Sequence, residues 1–482
     1  MRKKHISAVM GIILIISFVS GCGKRQLTDP KHPVSLTVWH YYNGSQQEAF
    51  QGLVDEFNNT VGKEKGIHVQ CMSKGTVGEL ETAVQDAMDG KVGADEVPDM
   101  FSAYADTAYL IEKQGKLANI SAYITEEELL EYEPSYINEG YIAEDGGLRI
   151  FPVAKSTEIL MINKTDWDIF SDETGASLED FSTPEGIVRL SEQYYNWTDD
   201  KTPDVNGDGK ALYGRDSMAN YFVIGMRQQG TEIFRVEDGK VTVNDEKEKI
   251  RRLWDNYYVP YIKGYFASFG SFRSDDVKTG DLLAYTGSTA SAMYFPDQIE
   301  TNEGSREIDY AVMHAPVLEG GENFAIQQGA GIVVTKSEEK KEYASVEFLK
   351  WMTQAEQNIR FSCESGYLPV KTYAATKETL DGVIQENKLE VSDKIYACLS
   401  SVLEEEYVET QPYACQSFEG ASAARKVLEY SLSDKAAEDR EKVVEALESG
   451  SSLEEACAPF LTEESFDTWY ESFDRALKEA VQ

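Results

Sequence analysis

Along the N-terminal third of the chain, apolar positions alternate over short runs and then fall into helical register. SLTVWHYY (Ser35 to Tyr42) alternates and is rich in β-formers, which predicts a strand. The next segment, Gln46 to Asn58, sets Phe50, Leu53, Val54 and Phe57 one helical face apart. GIHVQC (Gly66 to Cys71) predicts a second strand and Val77 to Met88 a second helix. VPDMFSAY (Val97 to Tyr104) predicts a third strand, followed by a helix from about Thr107 to Gln114 that Gly115 ends. Strands alternating with helices imply an α/β fold with a parallel sheet and helices on both faces. Ligands of such sheets bind beyond the carboxyl ends of the strands. Those ends carry Trp39-His40-Tyr41-Tyr42-Asn43 and Tyr104-Ala105-Asp106.

Further on the rhythm changes. RIFPVAKSTEILMINK (Arg149 to Lys164) reads as two extended pieces around Pro152, and helical patterns follow at Thr183 to Trp197 and Asp216 to Gln229. GIVVT (Gly331 to Thr335) is strand-like and precedes a helical signal from Glu342 to Ala355. Beyond about Thr376 nearly everything is helical, with Pro412 and Gly450-Ser451-Ser452 as breaks.

At the N-terminus, Arg2, Lys3 and Lys4 precede an apolar run from about Ile6 to Val19, the layout of a secretory signal. The run is shorter than the ~20 residues of a membrane span. Val19-Ser20-Gly21-Cys22 resembles the bacterial lipoprotein lipobox, in which cleavage precedes a cysteine whose sulfur takes a diacylglycerol. This predicts a lipoprotein signal peptide over 1–21, lipidation at Cys22 and a lipid-anchored tether over 22–34. The protein would then sit on the extracytoplasmic face of the cell membrane. Acyl chains hold at ~0.8 kcal/mol per buried CH₂.

The chain carries a formal charge of −38, and removing residues 1–21 makes the remainder three charges more negative. Such an excess disfavours nucleic acid and anionic lipid headgroups. A hydrophobic content of 41% suffices to build cores, and the length fits two or three domains. Beyond Cys22 lie Cys71, Cys363, Cys398, Cys415 and Cys457, an odd number that cannot all pair. A Cys398–Cys415 disulfide and buried free thiols are both open at this point.

The order of motifs resembles the extracellular solute-binding proteins of ABC importers, in the carbohydrate-type family that includes maltose-binding protein. The resemblance runs over TVWHYYNGSQQEAFQGLVDEFN, VPDMFSAYADTAYLIEKQGKLANIS, IFPVAKSTEILMINKTDWD, GDLLAYTGSTASAMYFP and QQGAGIVVTKSEEKKEYASVEFLKWMT, and is weaker after Val370. It implies a two-lobe periplasmic-binding-protein-like fold (type II) with a helical C-terminal extension, closing on ligand about a hinge. Lobe 1 would comprise 35–151 plus about 306–336, and lobe 2 residues 152–305 plus about 337–482. The implied partners are an oligosaccharide or related small solute and ABC transporter permease subunits, and a monomer is expected.

Sugars offer apolar ring faces and many hydroxyls, so their sites combine aromatic platforms with hydrogen-bonding side chains. Trp39, Tyr41, Tyr42 and Asn43 supply both, although alternation should send about half of these aromatics into the core. The resemblance implies an acidic cleft residue at Asp106, with Tyr104 beside it. It also places Lys155, Ser156 and Glu158 on the first crossing between lobes, where Lys155 and Glu158 equally suit an interlobe salt bridge. In the second lobe Ser217 and Asn220 open a helix, with Asp216 as its natural N-cap. Ser288, Tyr294, Gln328, Gly329 and Tyr367 complete the candidate ligand-binding set. Were the solute a sugar phosphate or glycerophosphodiester, Lys155, Arg149, Arg215 and Arg273 would be the cations available.

DVNGDGK (Asp204 to Lys210) fits the opening of a calcium loop through Asp204, Asn206 and Asp208, with Lys210 at its end. The twelfth position holds Arg215 where such a loop wants Glu, and the adjacent Asp216 is one place out of frame. A structural calcium ion and a solvated Asn-Gly/Asp-Gly turn are the two readings. No catalytic cofactor is expected. The chain has no HExxH, GxSxG or P-loop, and only His32, His40, His68 and His314 remain beyond the signal. A solute-binding protein rather than an enzyme is therefore expected. The competing readings are a lipid-anchored glycoside hydrolase, through paired carboxylates, and a calcium-dependent surface scaffold lipoprotein.

Overall fold

Two mixed sheets, each sandwiched between helices, organise the computed structural model, which describes residues 27–205, 207–237, 239–301, 304–404 and 410–482. The first sheet runs in the order Ile67–Ser73, Val34–His40, Met100–Ala103, Gly331–Val334, Ile150–Phe151. Its first three strands are parallel, and Gly331–Val334 returns antiparallel between Met100–Ala103 and Ile150–Phe151. The crossovers between the parallel strands are helices Gly44–Asn59 and Val77–Met88. Phe50, Leu53, Val54 and Phe57 are buried beneath the first of these, as their spacing predicts. The second helix starts on a capping box between Thr76 and Glu79, which satisfies two of its free N–H groups.

The second sheet runs Tyr310–His314, Glu158–Asn163, Ala284–Ser288, Tyr213–Arg215. Glu158–Asn163 is buried at every position, because helices cover both faces and both neighbouring strands are in place.

Two boundaries differ from the sequence expectation. Tyr310–His314 pairs with Glu158–Asn163, so this part of 306–336 belongs to lobe 2 and not lobe 1. Helices Glu339–Met352 and Ala355–Ser365, expected in lobe 2, pack on lobe 1 instead. Phe348 meets Phe57 edge-on at 5.1 Å, and Phe361 lies 5.2 Å from Tyr42. The return strand decides this, since a helix leaving Gly331–Val334 lies against the sheet that holds that strand.

Beyond Val370 the chain completes lobe 2. The 28-residue helix Ala421–Glu448 buries Ala424, Leu428, Leu432 and Ala436, spaced four apart, against helices Met218–Gln228 and Lys247–Ile262. Helix Glu463–Ala480 adds Trp469 and Phe473, the latter 5.2 Å from Phe222. The C-terminal helices thus share the lobe 2 core. Pro412, expected to be a break, lies in a short strand, Gln411–Tyr413, that pairs in parallel with Phe324–Ile326.

Three segments join the lobes and bond to one another. Ser156 and Gln328 exchange backbone hydrogen bonds of 3.0 and 2.9 Å, and Lys155 does the same with Leu368. Gly329 has φ +90°, and a Cβ there would lie 2.9 Å from the Ala154 carbonyl oxygen, so the close approach of two crossings requires glycine. Among the described residues no helix is long and apolar enough to cross a membrane. Cys71, Cys363, Cys398, Cys415 and Cys457 are all free thiols, so no Cys398–Cys415 disulfide forms. The signal peptide, Cys22 and most of the tether lie outside the described residues.

Candidate functional site

A cavity of about 400 Å³ opens where the lobes, the crossings and the C-terminal region meet. Lobe 1 contributes Val77, Glu81, Tyr104, Ala105, Asp106 and Glu139; the crossing contributes Ile326 to Gly329; lobe 2 contributes Asn220, Val223 and Phe234. Residues 414–418, Ala421, Arg425 and Leu428 form the remaining wall. A wider cavity of about 1180 Å³ shares Ala105, Glu139, Phe234, Gln327 and residues 414–418 with the first. The smaller volume falls in the range of about 300–1,000 Å³ common for small-ligand sites.

The chain reaches this wall at a strand end, as the α/β topology requires. Met100–Ala103 finishes at Tyr104, the N-cap of helix Ala105–Glu112, which puts Asp106 in the first helical turn. There the helix dipole favours a negative charge, and Asp106 Oδ1 accepts the Thr107 N–H at 2.9 Å. Thr107 Oγ1 donates in turn to Glu81 Oε1 at 2.7 Å, linking two carboxylate-bearing helices at the rim. Tyr104 stacks on Tyr41 with ring centroids 6.3 Å apart, and the Tyr41 and Tyr367 hydroxyls lie 3.3 Å apart. Burial drives the Tyr41 and Tyr367 phenols well above the usual range; for Tyr104 the neighbouring Tyr41 is the first cause and burial the second. All three therefore stay neutral hydrogen-bonding groups.

On the lobe 2 side a polar chain runs from a buried ion pair to the cavity. Arg215 Nη2 reaches both Glu158 oxygens, at 3.1 and 2.9 Å. Asn220 Nδ2 donates to Glu158 Oε1 at 3.1 Å, and Asn220 Oδ1 accepts from Arg425 Nη2 at 2.9 Å. Burial alone would discourage the Arg215 charge, but Glu158 outweighs it and holds the guanidinium firmly protonated.

Of the residues expected to bind ligand, the structure brings Tyr104, Asp106, Asn220, Gln328 and Gly329 to the cavity wall. Tyr41 and Tyr367 stand behind Tyr104. The remainder are placed elsewhere. Trp39 is 4% exposed in a lobe 1 core with Lys74 Nζ 3.9 Å over its ring, and Tyr42 is buried in the opposite core, so neither is a sugar platform. Helices on both faces of that sheet bury both sides of the alternation. Asn43 donates from Nδ2 to the Tyr41 and Gly75 carbonyls at the head of helix Gly44–Asn59. Lys155 is 1% exposed, pairs with Glu139 and donates to the Gly329 carbonyl at 2.7 Å. Lys155 and Glu158 thus form structural ion pairs, although the Glu158 pair lies within lobe 2 and does not bridge the lobes. Ser156 works through its backbone. Ser217, not Asp216, is the N-cap of helix Met218–Gln228, and its hydroxyl donates to Glu429 Oε2 at 3.0 Å. Ser288 caps a short 3-10 helix, and Tyr294 at that helix's end is 58% exposed and absent from the cavity wall.

Asp208, Lys210 and Asp216 of the calcium set make bonds within the fold. Asp208 accepts the Thr202 hydroxyl at 2.7 Å, and its own N–H donates to Asp199 Oδ1 at 2.8 Å. Lys210 donates its N–H to Thr198 Oγ1, Asp204 is exposed, and Asn206 lies outside the described residues. Asp216 is engaged elsewhere, accepting the Arg273 N–H at 2.9 Å. Among the described residues no cluster of three or more His, Cys, Asp or Glu side chains could hold a metal.

Sequence reasoning missed Glu81, Glu139, Phe234 and Gln327, and all of 414–428. Gln327 lies one place from Gln328, a candidate on sequence. Arg425, Phe418 and Cys415 carried no signal, because the C-terminal part departs from the motifs that led to the rest.

Known structures share this architecture. The cyclic alpha-maltosyl-1,6-maltose binding protein from Arthrobacter globiformis superposes with a TM-score of 0.63 at 18% identity, covering 93% of this chain and 100% of that one. UgpB from Mycobacterium tuberculosis, in complex with glycerophosphocholine, gives 0.62 at 15% identity, with 93% and 100% covered. The Thermus thermophilus maltotriose binding protein bound with maltotriose gives 0.58 at 15%, again with 93% and 100% covered. At such identities the likeness shows the fold. It is a solute-binding family, rather than a glycoside hydrolase, that the sequence itself matches. The sequence profile of the bacterial extracellular solute-binding proteins matches residues 52–389, and the chain belongs to that family.

Proposed function

We propose that the protein captures a carbohydrate in the interlobe cavity and delivers it to the permease of an ABC importer while a lipid on Cys22 keeps it at the outer face of the cell membrane. The observation that carries this reading is the composition of the cavity wall. Tyr104, Phe234 and Phe418 supply aromatic faces, and Asp106, Asn220, Gln328 and Arg425 supply hydrogen-bonding groups from both lobes. Flat apolar surface beside convergent polar groups is what a sugar ring and its hydroxyls require. That two structural neighbours are named for maltose-type sugars supports a polyhydroxylated solute, whereas a third, in complex with glycerophosphocholine, supports a phosphate-bearing alternative.

A phosphate-bearing solute is the weaker alternative. Every cation that sequence offered for it is committed: Arg149 to Glu112 at 3.0 Å, Lys155 to Glu139, Arg215 to Glu158 at 2.9 Å, and Arg273 to Asp276 at 2.7 Å.

The test is thermal unfolding of the protein against a panel of oligosaccharides and sugar phosphates. A ligand at a hundredfold excess over its Kd stabilises the folded state by ~2.7 kcal/mol, and the melting temperature should rise saturably for a sugar. Tyr104→Ala should lose about tenfold in affinity for that sugar with the fold intact, an aromatic contact being worth ~1 kcal/mol beyond its buried area. A flat response to every sugar, with a rise for a sugar phosphate alone, would favour the alternative.

A further inference from the structure

Given the lipid on Cys22 proposed above, the path of the N-terminal segment decides which face of the protein meets the membrane. Much of the stretch expected to be a tether, 22–34, is folded onto lobe 1. Thr28 is 7% exposed, and Asp29 to His32 form a turn in which the His32 N–H donates to the Asp29 carbonyl at 2.9 Å and the Lys31 N–H to Asp29 Oδ1 at 2.9 Å. This turn lies over Gly66. There φ is +71° and a Cβ would fall 2.3 Å from the Asp29 carbonyl oxygen, so only glycine admits the contact. From Cys22 to the half-buried Leu27 there are five Cα steps, which reach at most ~18 Å. A lipid on Cys22 therefore keeps this face of lobe 1 within about that distance of the headgroups.

The charge of the same face is unlike that of the whole. On a chain with a formal charge of −38, residues 22–33 set Lys24, Arg25 and Lys31 against Asp29. Helix Val61–Lys65, which leads into Gly66, sets Lys63 and Lys65 against Glu64. Lys31 and Lys63 are exposed, while Lys65 pairs with Glu347. The antiparallel strand Gly331–Val334 runs toward this end of lobe 1, and residues 336–342 beyond it balance three lysines with three glutamates. The acid excess that repels anionic headgroups is thus carried elsewhere. Cations beside a lipid attachment point are what such a surface attracts. Strand Val34–His40 starts at this face and ends beside Tyr41, which stacks on Tyr104 of the cavity wall, about 20 Å away at ~3.3 Å per residue.

We propose that the face of lobe 1 built from residues 29–33 and Val61–Gly66 rests on the anionic headgroups of the membrane that holds Cys22, with Lys31 and Lys63 among the lipid phosphates. The cavity then stands at the far end of strand Val34–His40, clear of the headgroups and open to solute. This is the state in which the protein waits between deliveries. The short attachment makes the contact, and the local cations remove the repulsion that would oppose it. Without the attachment, the acid excess of the molecule would keep it off the same surface.

The experiment compares lysine reactivity in the lipidated chain, bound to vesicles of phosphatidylglycerol and phosphatidylcholine, with that of the lipid-free chain from Gly23 mixed with the same vesicles. A water-soluble acetylating reagent is used, and initial rates at each lysine are read by mass spectrometry. Lys31 and Lys63 should react severalfold more slowly in the lipidated protein, while Lys240 and Lys426, exposed on lobe 2, react at equal rates in both. An insertion of about twenty Gly/Ser residues after Gly23, which behaves as a flexible coil, should return Lys31 and Lys63 to the lipid-free rate. Lipid-free rates at both lysines in vesicle-bound protein overturn the contact and leave the anchor standing. Protection that survives the insertion overturns the short attachment as its cause. A chain whose Cys22 carries no lipid by mass spectrometry overturns the anchor and the contact together.

Discussion

Two buried carboxylates show how single residues set the behaviour of lobe 2. Glu158 is 4% exposed and satisfied by Arg215 and Asn220 together. Glu158→Gln would leave the Arg215 charge buried and unpaired, and should cost ~3–5 kcal/mol in urea unfolding. Asp216 behaves differently. Burial pushes its carboxyl up from 3.8 to about 6, against the pull of Arg273. The folded protein therefore binds a proton there that the unfolded chain releases. Stability from this site is complete below about pH 4 and is lost as pH rises through about 6. Asp216→Asn should remove that slope and leave the variant on the order of 2 kcal/mol more stable than the wild type at pH 7. Asp245, raised to about 6 by burial and by the neighbouring Asp474, slopes in the same window, so the difference between wild type and variant is the quantity to measure. At this scale the sequence announced residue types better than residue roles. Tyr104 and Asp106 were legible because a strand end precedes a helix start, whereas Trp39 and Tyr42 were misplaced because neither sheet face meets solvent. The pairings of Lys155 and Glu158 were legible only as one of two options, since partners such as Glu139 and Arg215 are brought in by the tertiary fold.

Between elements, Glu429 on the long helix caps another helix entirely. Its carboxylate accepts the Met218 N–H at 3.3 Å, the Ala219 N–H at 2.9 Å and the Ser217 hydroxyl at 3.0 Å, all at the start of Met218–Gln228. Glu429→Ala should cost ~1 kcal/mol of stability, as lost helix caps do. It should also weaken ligand binding, because the same helix turn carries Asn220. Denaturant melts and a titration with the selected sugar would read both effects. Helix and strand positions in lobe 1 were legible from periodicity, down to Val77–Met88. Gln411–Tyr413 was not: its three residues pair with a strand far away in sequence, and Pro412 reads locally as a break.

For the whole molecule, the family assignment and the α/β architecture were legible in the order of separated motifs, and the division into lobes was legible in part. What failed was the allocation of 306–365, where the chain passes from one sheet to the other at Gly331–Val334. The proposed lipid anchor belongs at this scale too. Under that proposal Cys22→Ser should abolish incorporation of a labelled fatty acid into the protein, read by gel autoradiography, while ligand affinity stays unchanged.

The wall formed by residues 414–428 sets the order in which the molecule becomes competent. Ribosomes make the chain from its N-terminus, so both large sheets have all their residues before Phe418 and Arg425 exist. A product stalled or clipped ahead of that point lacks both the helices that complete the lobe 2 core and one wall of the cavity. On the proposed function, ligand capture waits until synthesis has passed Leu428, and a chain stopped before it cannot present itself as loaded.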